Sequence, residues 1–135
     1  MEQINARVTK TGFLFKLNEG QFARAKKWKK YYFHLRSNFL TWYKDRNSNE
    51  IIGMFDIENA SINAVVRDKD KKLEGKEFEL KNSSGTLNLH VDQAKERADW
   101  IEAIKMAKER HNAAATLSLD GGMRERIYSL NLTTI

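Results

Sequence analysis

The sequence predicts a mainly β domain, a bent antiparallel barrel or sandwich of seven strands capped by one C-terminal α-helix. Three observations predict it. Short segments of period-2 patterning recur between Thr11 and Val91, polar turn clusters separate them, and after Val91 the hydrophobic period becomes that of a helix. A run of strands followed by a segregated helix leaves the helix to cover one open end of the sheet. A chain of 135 residues has room for one such domain.

Thr11–Leu17 (TGFLFKL) opens the series. Trp28–Arg36 (WKKYYFHLR) and Phe39–Lys44 (FLTWYK) flank Ser37-Asn38, an aromatic hairpin with a two-residue turn. Ile51–Ile57 follows the polar loop Asp45–Glu50, and Glu58-Asn59-Ala60 separates it from Ser61–Arg67. Beyond the charged loop Asp68–Gly75, Lys76–Lys81 and Thr86–Val91 form a second hairpin around Asn82-Ser83-Ser84-Gly85. Asp92 reads as an N-cap. Ala94, Ala98, Ile101, Ile104 and Lys108 then fall on one helical stripe with Trp100 beside it. Lys105, Lys108, Arg110 and His111 suit the negative end of the helix dipole. This gives a helix of about 20 residues. Ala113–Leu119 extends it or frays, and Gly121-Gly122 breaks it. Arg126–Ile135 alternates again, with Tyr128, Leu130 and Leu132 on one side, and reads either as an eighth strand docked on a barrel edge or as a linker. The expected division is an N-terminal arm over 1–9, the domain over 10–111 and a C-terminal extension over 112–135.

Composition removes several function classes. The chain has no cysteine and no proline, so disulfides, thiolate metal sites and thiol nucleophiles are out. No apolar stretch approaches the roughly 20 residues that cross a bilayer. Met1–Arg7 lacks the apolar core of a secretory signal, and the expected compartment is the cytoplasm. His34, His90 and His111 are too far apart for a local zinc motif, and no Gly-rich phosphate loop or nucleophile elbow is present. No metal, cofactor or catalytic activity is expected.

Charge is the informative quantity. Lys and Arg number 24 against 18 Asp and Glu, a net +6. Between Arg7 and Arg46 the 11 basic side chains meet only Glu19 and Asp45, so this third of the chain carries +9 while the remainder is slightly acidic. Such asymmetry favours a polyanionic partner.

With its aromatics in these places, the pattern resembles the pleckstrin-homology (PH) domain family over roughly residues 10 to 111. Gly12-Phe13-Leu14-Phe15-Lys16 is similar to the family's opening strand. Trp28-Lys29-Lys30-Tyr31-Tyr32-Phe33-His34-Leu35 is similar to its second, and Leu40-Thr41-Trp42-Tyr43-Lys44 to its third. Trp100, within Asp99-Trp100-Ile101, matches the most constant tryptophan of the family and is expected to plug the barrel end. The resemblance implies a non-catalytic adaptor, a monomeric module of a larger protein that brings its host to a membrane or a partner. It also implies that phosphoinositide head groups bind at the open end of the barrel, in the loop between the first two strands.

On that footing the binding candidates are Lys16, Arg24, Lys26, Lys27, Lys29, Lys30, Tyr31 and Trp42, with Phe22 as a membrane-insertion candidate. Several convergent cations are needed, because one exposed ion pair is worth only about 0–1 kcal/mol. Near an anionic bilayer each adds about 1 kcal/mol. Two departures from the family pattern lower the expected affinity and specificity. Tyr31 stands where tight binders have an inward arginine, and a hydroxyl cannot form a bidentate clamp. Trp42 stands where a phosphate-binding tyrosine often sits.

Expected partners are therefore anionic phospholipids and phosphoinositides, at the peripheral membrane. The alternative is a protein partner engaged through the barrel edge or the C-terminal extension, with little lipid binding. Nucleic acid is not expected, since the strand aromatics read as core rather than as an exposed stacking platform.

Overall fold

The computed structural model describes residues 8–19, 26–66 and 72–122, with Glu19, Lys26 and 111–122 as backbone. Its elements are β1 (Val8–Glu19), β2 (Lys26–Arg36), β3 (Phe39–Tyr43), β4 (Ile51–Asp56), β5 (Ser61–Ala64), β6 (Glu77–Asn82), β7 (Gly85–His90) and α1 (Lys95–Gly122). The seven strands form one antiparallel sheet in the order β4-β3-β2-β1-β7-β6-β5. All seven expected strands are present, and β1 and β2 are longer than their hydrophobic patterns, reaching polar Glu19 and Lys26 in register with each other.

Both hairpin turns follow from side-chain chemistry. Ser37 adopts φ 56°, the left-handed conformation that a two-residue hairpin demands. The Asn38 amide beside it donates to Asp56 Oδ1 at 3.3 Å, and its carbonyl accepts from the Ile57 N–H at 2.9 Å. In the second hairpin Asn82 Oδ1 accepts from the N–H groups of Ser84 and Gly85 at 2.8 and 3.1 Å, an Asx turn.

One long seam, β1 against β2, and one short seam, β1 against β7 at Phe15↔His90 and Lys16↔Leu89, join the two halves of the sheet. The short seam lets the sheet fold over on itself. Alternate residues of both halves meet inside: Leu14, Phe33, Leu35 and Leu40 from one, Phe78, Leu80, Leu87 and Leu89 from the other, all buried.

The helix covers the open end of this core, with its buried stripe in a different phase from the one expected. Trp100, Ile104 and Ala107 point inward at i, i+4 and i+7, whereas Ala94 and Ala98 are exposed. Alanine fits either face, and the large indole decides which face turns in. The first turn is closed by Glu96, whose carboxylate accepts the Gln93 N–H at 3.1 Å, one half of a capping box. Midway along the helix the Lys108 ammonium donates to the carbonyl of Ala60. The helix runs on through Ala113–Leu119 to Gly122, longer than expected. Residues 1–7, Arg67 to Lys71 and the alternating Arg126–Ile135 segment lie outside the described residues.

Trp100 is 4% exposed, and its ring lies 3.3 Å from the point where a Cβ on Gly12 would stand. The Lys10 ammonium sits 5.0 Å above it. Trp100→Ala should therefore destabilise the domain by about 3–5 kcal/mol in urea unfolding. A variant as stable as wild type would rule out the plug role.

Candidate functional site

The candidate site lies on the inner face of the β1–β2 hairpin, beyond the last layer of core side chains. Alternation places Lys16 and Asn18 of β1 on the same face as Leu14, and Lys27, Lys29 and Tyr31 of β2 on the same face as Phe33. The register sets Lys16 opposite Lys29 and Asn18 opposite Lys27, so three cations gather toward the loop end. Trp42 enters from β3 opposite Phe33, with ring centroids 5.3 Å apart.

A short hydrogen-bonded chain organises these side chains. The Lys16 ammonium donates to Asn18 Oδ1 at 2.8 Å, and Asn18 Nδ2 donates to the Tyr31 hydroxyl at 3.0 Å. Lys16 also stands 5.6 Å from the centroid of Trp42, and Lys29 stands 5.5 Å from that of Tyr31. An ammonium has three donors. Asn18 uses one from Lys16, which leaves two for an incoming anion, and the Tyr31 hydroxyl, accepting from Asn18, still has a proton to give. Among the residues whose side chains are described, no carboxylate forms an ion pair with Lys16, Lys27 or Lys29. In the backbone register Glu19 stands opposite Lys26.

The structure separates the sequence candidates into groups. Lys16, Lys27, Lys29, Tyr31 and Trp42 share the basin face. Lys30 stands on the opposite face of β2, with its ammonium 4.8 Å from the centroid of Phe13 and 5.8 Å from that of Phe15. Lys26 is described as backbone alone, opposite Glu19 in the register, and Arg24 and Phe22 lie outside the described residues. Asn18 was missed as a site residue, although its signal was present, since it lies two residues beyond Lys16 in a period-2 strand. Gly53 was also missed. A Cβ there would fall 2.2 Å from the Trp42 ring, so the indole keeps its place only over a glycine.

The expectation that the strand aromatics are core holds on the inner face and fails on the outer one. Phe13, Phe15, Trp28, Tyr32 and His90 build a second ring layer there. Phe13 meets Tyr32 edge-on at 4.9 Å, Phe15 stacks on His90 at 4.5 Å, and Trp28 meets His90 edge-on at 4.6 Å. Strand alternation had to send half of a run such as Tyr31-Tyr32-Phe33-His34 outward, and among the described residues no second sheet or helix lies over that side, although Thr41 and Tyr43 of β3 are buried there.

The PH domain family model matches residues 8–109. The chain belongs to the PH domain family. Similar proteins include a RAC family serine/threonine-protein kinase homolog of Dictyostelium discoideum, 31% identical over 115 residues, covering 85% of this chain and 23% of that protein. Another is the ankyrin repeat, PH and SEC7 domain containing protein secG of the same organism, 36% identical over 114 residues, 78% of this chain and 10% of that protein. A sterol 3-beta-glucosyltransferase of Emericella nidulans is 22% identical over 85% of this chain, and the chain spans only 8% of its length. Among solved structures, the C-terminal PH domain of human pleckstrin is 26% identical, with a TM-score of 0.63 and coverage of 81% of this chain and 85% of that one. The C-terminal PH domain of pleckstrin in complex with D-myo-Ins(1,2,3,4,5)P5 is 25% identical, with a TM-score of 0.60 over 75% of this chain and 98% of that one. The PH domain is a small part of each larger relative, two of which carry enzyme names. Among the described residues no helix is long and apolar enough to cross a membrane, and no group of three His, Cys, Asp or Glu could hold a metal.

His34 of this PH domain is half-buried. His34 packs against the rings of Tyr32 and Tyr43, at 5.4 and 4.6 Å, and the Arg36 guanidinium approaches its Nδ1 at 3.3 Å. Donation from Arg36 needs the lone pair of a neutral imidazole at that nitrogen. Burial, and secondarily the Arg36 charge, lower the His34 pKa below its ordinary 6.5. The unfolded chain then takes up the proton first. The stability contributed is complete above the unfolded pKa and is lost as pH falls from there through the folded one. The melting temperature should drop between pH 7 and pH 5, and His34→Gln should flatten the drop; identical slopes would contradict this assignment. In the basin, Gly53→Ala should displace Trp42 and cost about 1–3 kcal/mol by overpacking. Indole fluorescence with urea unfolding measures both effects, and unchanged values would show that the ring does not depend on the glycine.

Proposed function

We propose that this PH domain targets its host protein to anionic membranes by holding phosphoinositide head groups in the basin at the end of the β1–β2 hairpin. The observation that carries the reading is the half-buried Lys16 ammonium. It is fixed between Asn18 Oδ1 and the Trp42 ring, opposite Lys29, and no carboxylate among the described residues neutralises it. A cation desolvated on one side, with free donors on the other, gains more from a phosphate oxygen than a fully hydrated surface lysine does.

In this proposal Lys16 is the anchor. Lys27 and Lys29 add charge, Tyr31 offers one hydrogen bond, and Trp42 walls the basin. Arg24, Lys26 and Phe22 join from the sequence alone as loop residues that approach the bilayer. Lys30, facing the other way, contributes to the long-range potential rather than to the cradle. The solved pleckstrin domain that holds an inositol pentakisphosphate supports phosphate-rich ligands for this fold at a comparable sequence distance. Tyr31 in place of an arginine gives one neutral donor instead of a charged fork, so the affinity is modest and discrimination between head groups shallow. The resulting location is the cytoplasmic surface of a membrane, reversibly occupied.

Vesicle co-sedimentation with and without phosphoinositide tests this. Lys16→Glu should reduce binding more than about tenfold, and Lys27→Glu about fivefold, in line with about 1 kcal/mol per surface cation and more for the partly desolvated one. Equal sedimentation of wild type and Lys16→Glu on phosphoinositide vesicles would overturn the reading.

A further inference from the structure

We propose that the outer face of β1–β4 is a docking surface for an acidic, apolar peptide segment of another protein. The proposal does not rest on lipid binding. The described residues include few large apolar side chains that stay exposed. Besides Val66 and Met106 elsewhere and Ile52 on β4, they are Phe13 at 37%, Ile51 at 49% and Met54 at 54%, all three in this half of the sheet. Their register puts them on one face. Phe13 lies opposite Tyr32, Tyr32 opposite Tyr43, Tyr43 opposite Ile51, and Met54 opposite Thr41. Crossing from β1 to β4 spans three strand spacings, about 14 Å, which matches the width of one helix or two added strands. A patch of this kind, left without a covering layer, marks an interaction site more often than chance.

Charge selects the occupant. The Arg46 guanidinium lies 5.6 Å from the Tyr32 centroid and 6.0 Å from that of Phe13, and Lys30 lies 4.8 Å from Phe13. Neither cation is ion-paired among the described residues. Both are therefore held against rings with no anion of their own, which suits a carboxylate from outside. A second copy of a chain with net +6 would bring like charge to the same place.

The ring contacts count against nucleic acid. Sequence-tolerant binding of single strands needs open aromatic faces on which bases stack. Here Phe15 is stacked on His90 with the planes 7° apart, while cations cover Phe13 and Tyr32. An acidic segment with aliphatic side chains satisfies both features, its carboxylates meeting Arg46 and Lys30 and its apolar side chains covering Phe13, Ile51 and Met54. Among the described residues β4 is also an edge strand, with β3 as its neighbour in the sheet order, so an extended segment could add beside Met54. Because Lys29 and Lys30 alternate, this face lies across the sheet from the basin and stays accessible when the basin is filled.

Fluorescence anisotropy with a dye-labelled peptide alternating Glu with Leu and Phe tests the proposal. Comparison probes are the same peptide with Lys for Glu, a labelled oligothymidine, and phosphoinositide vesicles. The acidic peptide should bind and its lysine counterpart should not. Arg46→Glu and Met54→Thr should each weaken the acidic peptide about tenfold while vesicle binding holds, and Lys16→Glu should change the peptide by less than about twofold. Arg46 is an exposed loop residue, so its substitution keeps the test independent of folding. No binding of the acidic peptide, equal loss with Lys16→Glu and Arg46→Glu, or a preference for oligothymidine would each overturn it.

Discussion

Strict alternation along two paired strands sorts the basic third of this chain into two chemically different faces. β1 and β2 stay in register from Lys10↔Leu35 to Glu19↔Lys26, so each residue's face is decided by parity. Even positions of β1 from Gly12 and odd positions of β2 turn inward, first as core and then, past Tyr31 and Leu14, as a cationic basin. The other parity turns outward as rings overlaid by cations. Moving either strand by one residue would exchange the faces and place Lys30 and Tyr32 in the core. Burial of Leu14, Phe33 and Leu35 is what prevents that slip.

Parity also explains how the proposed phosphate site keeps a central cation without an arginine at position 31. Tyr31 is buried and cannot carry charge to the mouth, yet its hydroxyl meets Asn18, and Asn18 holds Lys16. The charge has shifted to a flexible ammonium steadied by a neutral amide and an indole. A point charge with rotatable donors tolerates many phosphate arrangements and prefers none strongly. Broad, modest recognition is therefore what the proposed site would owe to this tyrosine.

Much of this was legible in the sequence because period-2 patterning carries both strand identity and facing. Lys16, Lys29, Tyr31 and the opposite placement of Lys30 all follow from counting by twos. What was not legible required a second strand or a third dimension. Nothing in the letters says that Gly53 is the seat of Trp42, since that depends on register across β3 and β4. The helix stripe was misphased because alanines at 94 and 98 carry no preference strong enough to oppose Trp100. The outer ring layer was read as core because aromatic residues usually are, and a single small sheet has only one inside.

A soluble inositol phosphate titrated into the isotope-labelled domain, followed by amide, lysine and indole resonances, measures the sorting most directly. The account predicts saturable shifts at Lys16, Asn18, Lys29, Tyr31 and the Trp42 indole, with Lys30, Tyr32 and Arg46 on the far face unmoved. Shifts centred on Lys30 and Arg46, or none at Lys16, would contradict it.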